Sequence, residues 1–223
     1  MTERITLSAD ALLFDMDGTL VDSTAVSERI WRAWSAKMGV DPEAVLTYSH
    51  GRRTLDTTRH FSSTEEIAVA SAREIEALEI ADEDGTVPIE GAKELLESLP
   101  SDRWAVVTSA GPNLAAHRLA AAGLPIPDVL ITASDVGTGK PDPEGYLLAA
   151  ARLGADPQRC IVFEDTFAGH EAARRGNMRS FNRHATPHKH DGPVLTLMSY
   201  TSVECAMDGS SLSIILSDEV ERT

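Results

Sequence analysis

Two aspartates, Asp15 and Asp17, stand two positions apart where a short apolar run ends in a turn. The run Ala11–Phe14 is typical of a buried strand, and Gly18 permits the tight turn that follows it. Both carboxylates are therefore expected at the carboxyl end of a strand, where α/β proteins place their reactive groups. Paired carboxylates in this position favour phosphoryl chemistry.

Three further polar sites fall in the same way at the ends of predicted strands. In chain order they are Thr108 with Ser109, Lys140 before a proline, and Glu164 with Asp165. Phosphoryl transfer needs a nucleophile, a divalent cation, hydroxyl and amide donors, and a fixed positive charge. Mg²⁺ prefers oxygen ligands and keeps several waters, so carboxylates, a backbone carbonyl and a substrate phosphate would serve it.

The elements that must position these residues alternate from residue 88 onward. The predicted helices cover 93–99, 113–122, 143–153 and 168–175, and the predicted strands cover 104–107, 129–131, 160–163 and 178–181. Such alternation predicts an α/β fold, a Rossmann-like parallel sheet core with helices on both faces.

Between residues 22 and 87 the strand signal disappears, and helical patterns cover 26–38, 42–50, 54–61 and 64–78. We therefore expect an all-helical cap domain at 22–87, inserted after the first strand, and a core made of 1–21 and 88–223. The cap should lie over the catalytic end of the sheet, with hinges near 21–23 and 85–91.

Composition limits the classes of partner. The chain has 223 residues, 42% of them hydrophobic, and a formal charge of -15, which argues against binding to nucleic acid or to an anionic membrane. The N-terminal residues lack the apolar core of a leader peptide, and no apolar run approaches a membrane span. We expect a cytoplasmic monomer or weak dimer in which Cys160 and Cys205 are buried thiols.

The four sites, in this order, resemble the motifs of the haloacid dehalogenase superfamily, subfamily I. The resemblance implies that Asp15 is a nucleophile that forms an aspartyl-phosphate, and that Asp17 is the general acid and then base. It further implies phosphate binding by Thr108, Ser109 and Lys140, with Thr108 and Lys140 also catalytic, and Mg²⁺ binding by Asp15, Asp17, Glu164 and Asp165. The superfamily's true dehalogenases lack the second aspartate, so Asp17 disfavours halide displacement.

The segment 50–56, His-Gly-Arg-Arg-Thr-Leu-Asp, resembles the cap segment of sugar-phosphate and polyol-phosphate phosphatases, such as the 2-deoxyglucose-6-phosphate and glycerol-3-phosphate phosphatases. The resemblance implies that Gly51 allows close approach to substrate, and that His50, Arg52 and Arg53 contact the leaving group. Exposure on a cap helix is the alternative interpretation of both arginines. The chain departs from the family pattern at Glu90-Gly91 and at 175–177.

The preferred hypothesis is a Mg²⁺-dependent phosphatase acting on a small phosphorylated sugar or polyol. A β-phosphoglucomutase-type phosphohexomutase has the same four motifs and differs in whether the phosphoryl group returns to a second hydroxyl. A phosphonatase is disfavoured because Lys37 is the only lysine of the cap segment. A sensor that binds phosphate esters without turnover is the alternative from another class.

Other noticeable residues receive structural interpretations. Trp31 and Trp34 are three positions apart on a predicted helix, which favours packing over a stacking wall for the substrate. A group of His184, His188, His190 and Asp191 lies among loop-forming residues, so we do not predict a metal site there. Asp208-Gly209 between short apolar runs predicts a small hairpin or a strand extension within 200–221.

Overall fold

The computed structural model describes residues 4–82, 85–183, 195–217 and 220–222. Its strands are β1 Ile5–Ala9, β2 Ala11–Phe14, β3 Val21–Asp22, β4 Val87–Pro88, β5 Trp104–Val107, β6 Leu130–Ile131, β7 Cys160–Glu164, β8 Arg179–Asn182, β9 Leu195–Leu197, β10 Val203–Asp208, β11 Ser211–Leu216 and β12 Val220–Arg222. Its helices are α1 Thr24–Met38, α2 Pro42–Ser49, α3 Thr54–Phe61, α4 Glu65–Ala81, α5 Ala92–Ser98, α6 Pro112–Ala121, α7 Glu144–Leu153 and α8 Phe167–Arg175.

The central sheet has the strand order β12-β9-β8-β7-β2-β5-β6. The pairs from β9 to β6 are parallel, and β12 is antiparallel to β9. Leu13 at the centre is in register with Ala105 on one side and Val162 on the other. The predicted α/β fold with a parallel sheet is confirmed, and the carboxyl ends of β2, β5 and β7 meet at one edge.

Each face of the central sheet packs against helices, because successive strand residues point to opposite faces. Phe14 and Phe163 stack on one face at 4.8 Å between ring centroids, in a cluster with α5 and α6 residues. Leu13 and Val162 lie on the other face with Tyr146 of α7 and with α8 residues. The strands that carry the polar sites are therefore held from both sides.

A second, antiparallel sheet has the order β1-β11-β10. The predicted hairpin is confirmed, since β10 pairs with β11 across the turn at Gly209, whose φ is 62°. We made no prediction for β1, which pairs Ile5 with Leu216 at the far end of the chain. The strand predicted as the first of the chain is therefore the second, β2.

The four helices α1 to α4 all lie between β3 and β4, as the helical patterns predict. These two short strands pair with each other, Val21 opposite Pro88, so the chain enters and leaves the helical segment side by side. The helices have an apolar cluster of their own, in which Trp31 and Trp34 are 5% and 4% exposed and meet edge to face. Both tryptophans pack as predicted, and Trp31 also lines the cavity that contains Asp15 and Asp17. The domain boundaries at 22 and 87 stay a prediction.

The remaining expectations have mixed outcomes. Cys160 is a buried free thiol and Cys205 a half-buried one, and burial raises the pKa of each to about 12.

The predicted strand at 178–181 is β8, but we did not predict that β9 and β12 extend the sheet beyond it. The histidine group at 184–190 lies outside the described residues. None of the helices described is long and apolar enough to span a bilayer.

Candidate active site

The turn after β2 brings the two aspartates to the edge of the sheet. The Asp15 amide donates to the carbonyl of Phe163 at 3.0 Å, which extends the β2–β7 pairing into the turn. Gly18 has a φ of 82°, and a Cβ at this position would come within 2.0 Å of Asp165 Oδ2. Both the turn and the position of the Asp165 carboxylate therefore require glycine.

Lys140 links two of the predicted site residues from beneath. Its ammonium forms an ion pair with Asp15 Oδ1 and lies 2.5 Å from Glu164 Oε1. Both carboxylates and the lysine are buried, at 6%, 0% and 8% exposure respectively. Against the effect of burial, the two carboxylates raise the pKa of Lys140, so it remains a cation. The sequence prediction of a fixed positive charge beside Asp15 matches this geometry.

The Glu164 carboxylate is fully used by protein donors. Its Oε1 accepts from Lys140 and from the Tyr146 hydroxyl at 2.9 Å. Its Oε2 accepts from the amides of Asp165 and Thr166, each at 3.0 Å, and from the Thr166 hydroxyl at 2.9 Å. Despite burial, Lys140 keeps the pKa of Glu164 below its ordinary value. This arrangement suits a group that fixes the lysine and the following loop.

Asp15, Glu164 and Asp165 each offer an oxygen atom within 4.8 Å of the others. Burial raises the pKa of Asp15 to about 7, helped by the neighbouring carboxylates and opposed by Lys140. Burial together with Asp15 and Glu164 also raises the pKa of Asp165. Three carboxylates beside one ammonium leave excess negative charge, and a hard divalent cation with oxygen ligands fits this donor set.

The hydroxyl pair after β5 lies against both the sheet and the cap. The Thr108 amide donates to Ile131 at 2.9 Å, and its Oγ1 accepts from the Ala110 amide at 3.0 Å. Ser109 Oγ donates to the carbonyl of Gly51 in the cap at 2.9 Å. Gly51 also lies against Thr166, since a Cβ there would meet its Oγ1 at 2.5 Å. The cap segment therefore rests on the core directly beside the predicted phosphate-binding pair.

A cavity of about 160 Å³ lies between the cap and the core. The predicted site residues that line it are Asp15, Asp17, Thr108, Ser109 and Asp165 from the core, and His50, Gly51 and Arg52 from the cap. The Arg52 guanidinium stacks over the Tyr48 ring at 4.6 Å. The structure thus brings most of the predicted residues to one cavity, with Lys140 and Glu164 behind Asp15.

The Arg53 side chain does not line this cavity. It forms a bidentate pair with Asp56, at 2.7 and 3.0 Å, and its Nη1 donates to the carbonyl of Gly137 at 3.1 Å. A Cβ at Gly139 would come within 2.9 Å of Arg53 Nε. Arg53 lies outside the cavity of Asp15 but lines an adjoining pocket with Thr108 and Lys140. Its contact with substrate stays a prediction. Here it docks the cap on the loop that leads to Lys140.

Sequence reasoning missed the residues that hold Asp17. Asp17 Oδ1 accepts from Ser23 Oγ at 2.7 Å and from Arg118 Nη1 at 2.8 Å. Arg118 also binds Glu79 of the cap at 2.9 Å. Arg118 and Glu79 belong to helices whose patterns look like ordinary amphipathic ones, so the sequence offers no signal for their pairing.

Comparison with known proteins agrees with this arrangement. The model of the family described as haloacid dehalogenase-like hydrolase matches residues 9–177. Hexitol phosphatase A from Escherichia coli is 43% identical over 162 residues, which cover 70% of this chain and 74% of that protein. The 2-deoxyglucose-6-phosphate phosphatase 1 of Saccharomyces cerevisiae is 36% identical over 190 residues, or 75% of this chain and 76% of the yeast protein.

Solved structures show the same fold. A β-phosphoglucomutase from Clostridium difficile superposes with a TM-score of 0.71 at 25% identity, covering 79% of this chain and 85% of that one. The predicted family resemblance is confirmed by the family model and by these relatives.

Proposed function

The chain belongs to the haloacid dehalogenase-like hydrolase family, and on this premise we propose that it is a phosphatase of small phosphorylated sugars or polyols. The observation that supports this most is the buried ion pair of Lys140 with Asp15 at the cavity between cap and core. This ion pair fixes the proposed nucleophile, Asp15, beside the Lys140 ammonium, which can neutralise the charge of a phosphoryl group. The relatives named hexitol phosphatase and 2-deoxyglucose-6-phosphate phosphatase support the substrate class.

Mg²⁺ is the proposed cofactor. Asp15, Asp165 and the carbonyl of Asp17 would hold it, and when bound it supplies charge neutralisation for the non-bridging phosphate oxygens. We assign Glu164 mainly to fixing Lys140, because both of its oxygens already accept protein hydrogen bonds. Ligation by Glu164, direct or through a water, remains the alternative.

The reaction has two steps on the chain's own residues. In the first, an Asp15 oxygen attacks phosphorus and the bond between phosphorus and the leaving-group oxygen breaks. Asp17 donates its proton to that leaving-group oxygen, which departs as the alcohol. In the second, Asp17 takes a proton from a water that attacks the phosphoryl group on Asp15. Inorganic phosphate leaves, and Asp15 returns to a free carboxylate. Thr108, the Ser109 amide and Lys140 hold the phosphoryl oxygens throughout.

The cap supplies the contact with the sugar or polyol part. His50, Gly51 and Arg52 line the cavity above Asp15, so they are placed to meet the hydroxyl-bearing group. Arg53 serves by docking the cap on the core. With the cap seated, bulk water is excluded while the phosphoryl group is on the enzyme.

The test is phosphate release from a panel of hexitol, hexose and glycerol phosphates with Mg²⁺. We expect turnover by the wild-type chain and none by Asp15→Asn. The matched control is Asp128→Asn, an exposed aspartate before β6 at the opposite edge of the sheet, which should keep full activity. Silence of the wild-type chain across the panel, with ester binding retained, would contradict the proposal and support a sensor.

The mutase remains the second candidate, because a β-phosphoglucomutase shares the fold at 25% identity and Arg52 lies in the cavity. A mutase would release an isomerised sugar phosphate and would depend on a bisphosphate primer. Product analysis by NMR, with and without a hexose bisphosphate, separates the two. We expect free phosphate and no primer dependence.

A further inference from the structure

Arg118 is a buried arginine of the core that binds two carboxylates, those of Asp17 and of Glu79 in the cap. Neither Arg118 nor Glu79 has a role in the reaction proposed above. Its Nη1 donates to Asp17 Oδ1 at 2.8 Å, and its Nη2 donates to Glu79 Oε1 at 2.9 Å. Arg118 and Glu79 are each 5% exposed. Charges withdrawn from water to this degree are costly unless they are paired with good geometry and further hydrogen bonds.

Ser27 completes this network. Its hydroxyl accepts from Arg118 Nη2 at 3.0 Å and donates to Glu79 Oε1 at 3.0 Å. Ser27 and Glu79 belong to the cap helices α1 and α4, whereas Arg118 lies on the core helix α6. The network can therefore form only when the cap is seated on the core.

Glu79 occupies a position that is unfavourable for a carboxylate unless Arg118 pairs with it. It lies in the last turn of α4, where the helix dipole disfavours a negative charge and where α4 has no basic residue. Burial raises the pKa of Glu79, and Arg118 opposes that effect. Arg118, in the last turn of α6, is a cation at the helix end that favours one.

The same network orients the carboxylate of Asp17. Ser23 and Arg118 both donate to Oδ1, whereas Oδ2 accepts no hydrogen bond within the described part of the chain. Two donors on one oxygen fix the rotation of the carboxylate. The other oxygen is left for proton exchange in the cavity that Asp17 shares with Asp15.

Two further residues near the C-terminal end of α4 contact the core. Glu76, one turn before Glu79, lies over the start of α6, since a Cβ at Gly111 would come within 2.0 Å of Glu76 Oε1. Ile80 packs against the apolar core cluster. A cap displaced from this seat would separate Glu79 from Arg118.

We propose that Arg118 is a positioning residue for Asp17, and that Glu79 of the cap holds Arg118 in place. The catalytic acid is then correctly oriented only when α4 is seated on α6. This inference rests on the proposed phosphatase function and extends it, because cap closure completes the acid–base group as well as excluding water.

Leaving-group dependence tests this positioning. A sugar phosphate loses an alkoxide that needs the proton of Asp17, whereas p-nitrophenolate leaves without one. We expect Arg118→Met to lower kcat on the best sugar phosphate of the panel about 100-fold with little change in KM. The pre-steady-state burst of p-nitrophenol from p-nitrophenyl phosphate should keep its rate. Glu79→Gln should lower kcat on the sugar phosphate about tenfold, and Arg118→Lys should restore part of the loss.

Coupling to Asp17 is the second measurement. In an Asp17→Asn background, Arg118→Met should cause no further loss on the sugar phosphate, because the residue acts through Asp17. Glu74→Gln and Lys37→Met are the matched controls. They break an exposed cap ion pair of 2.7 Å that includes the same helix α4 and does not touch the core, and both should keep wild-type kinetics.

Wild-type kcat in both Arg118→Met and Glu79→Gln would overturn the inference, as would an equal loss of burst and sugar-phosphate turnover. If Arg118→Met does not fold, Arg118→Lys and Glu79→Gln carry the same test. If the wild-type chain releases no phosphate from any ester, both the proposed function and this inference are wrong. If the wild-type chain turns over and the variants match it, only this inference is wrong.

Discussion

Two buried cations organise the two halves of the candidate active site, and their surroundings differ. Lys140 lies between two carboxylates of the core, Asp15 and Glu164. Arg118 lies between Asp17 of the core and a glutamate of the cap. The first network is complete within the core, whereas the second requires both parts of the molecule.

This difference distinguishes the proposed nucleophile, Asp15, from the proposed acid, Asp17. Asp15 is held by strand ends that pack on both faces, so its position does not depend on the cap. The orientation of Asp17 does depend on it, and Asp17 serves both steps of the proposed reaction. An open cap would then leave a formed nucleophile beside an acid that is not oriented, which limits hydrolysis to the closed state.

The largest expected effect comes from removing the cation of the core network. Lys140→Met should lower kcat by about 10³-fold, because Asp15 and the phosphoryl group lose their fixed positive charge. Steady-state phosphate release measures this loss, with Lys37→Met as the control for removing a lysine. If Lys140→Met kept more activity than Arg118→Met, the core network would not be the dominant one.

Crowding the catalytic turn should have the next largest effect. In Gly18→Ala the new Cβ must displace Asp165, and the backbone keeps a φ that alanine disfavours. We expect Mg²⁺ affinity to fall about 100-fold, measured by titration calorimetry. Gly39→Ala is the matched control, since Gly39 has a similar φ of 70° with open space around it. Equal affinities in the two variants would contradict this placement of Asp165.

The pKa of Asp15 predicts how pH affects the metal-free protein. It rises from the ordinary value of 3.8 to about 7 in the folded state, so the folded protein binds this proton more tightly than the unfolded chain does. The contribution of Asp15 to the free energy of unfolding is therefore full below about pH 4 and is lost as pH rises through about 7.

Chemical denaturation in the presence of a chelator checks this dependence. Between about pH 5 and pH 7.5, the wild-type chain should lose on the order of 2 kcal/mol relative to Asp15→Asn. Mg²⁺ should then stabilise the wild-type chain more at the higher pH, because it replaces the proton. A wild-type chain that gains stability relative to Asp15→Asn over this range would refute the buried, charge-rich environment.

The smallest expected effect concerns the docking of the cap. Arg53→Met removes the hydrogen bond to Gly137 and should lower kcat/KM about fivefold. The control is Arg59→Met, which breaks an exposed cap ion pair with Glu65 and should change little. A loss of several hundredfold in Arg53→Met would instead indicate direct contact with substrate.

Most of the core network could be predicted from sequence, because Asp15 directly follows β2 and Glu164 ends β7, whereas Lys140 lies nine positions after β6. Parallel strands end at one edge, so Asp15, Thr108 and Asp165 had to converge once the alternation of strands and helices was recognised. The predicted helices of the cap are confirmed for the same reason, since their apolar periodicity survives in the packed cluster around Trp31 and Trp34.

The second network could not be predicted in this way. Arg118 and Glu79 are 39 positions apart on two different helices, and neither interrupts the pattern of its own helix. Their pairing depends on how the cap seats on the core, which no local pattern specifies. The contacts of Arg53 and the pairing of β1 with β11 could not be predicted for the same reason, because both join distant parts of the chain.

The central claim is that Asp15 carries the phosphoryl group, and acid-quenched turnover measures it most directly. During hydrolysis of the best ester with Mg²⁺, mass spectrometry of the peptide that contains Asp15 should show one added phosphoryl group. Asp17→Asn should increase its accumulation with p-nitrophenyl phosphate, and Asp15→Asn should abolish it. Steady release of phosphate with the added group never present on Asp15, even in Asp17→Asn, would contradict the account.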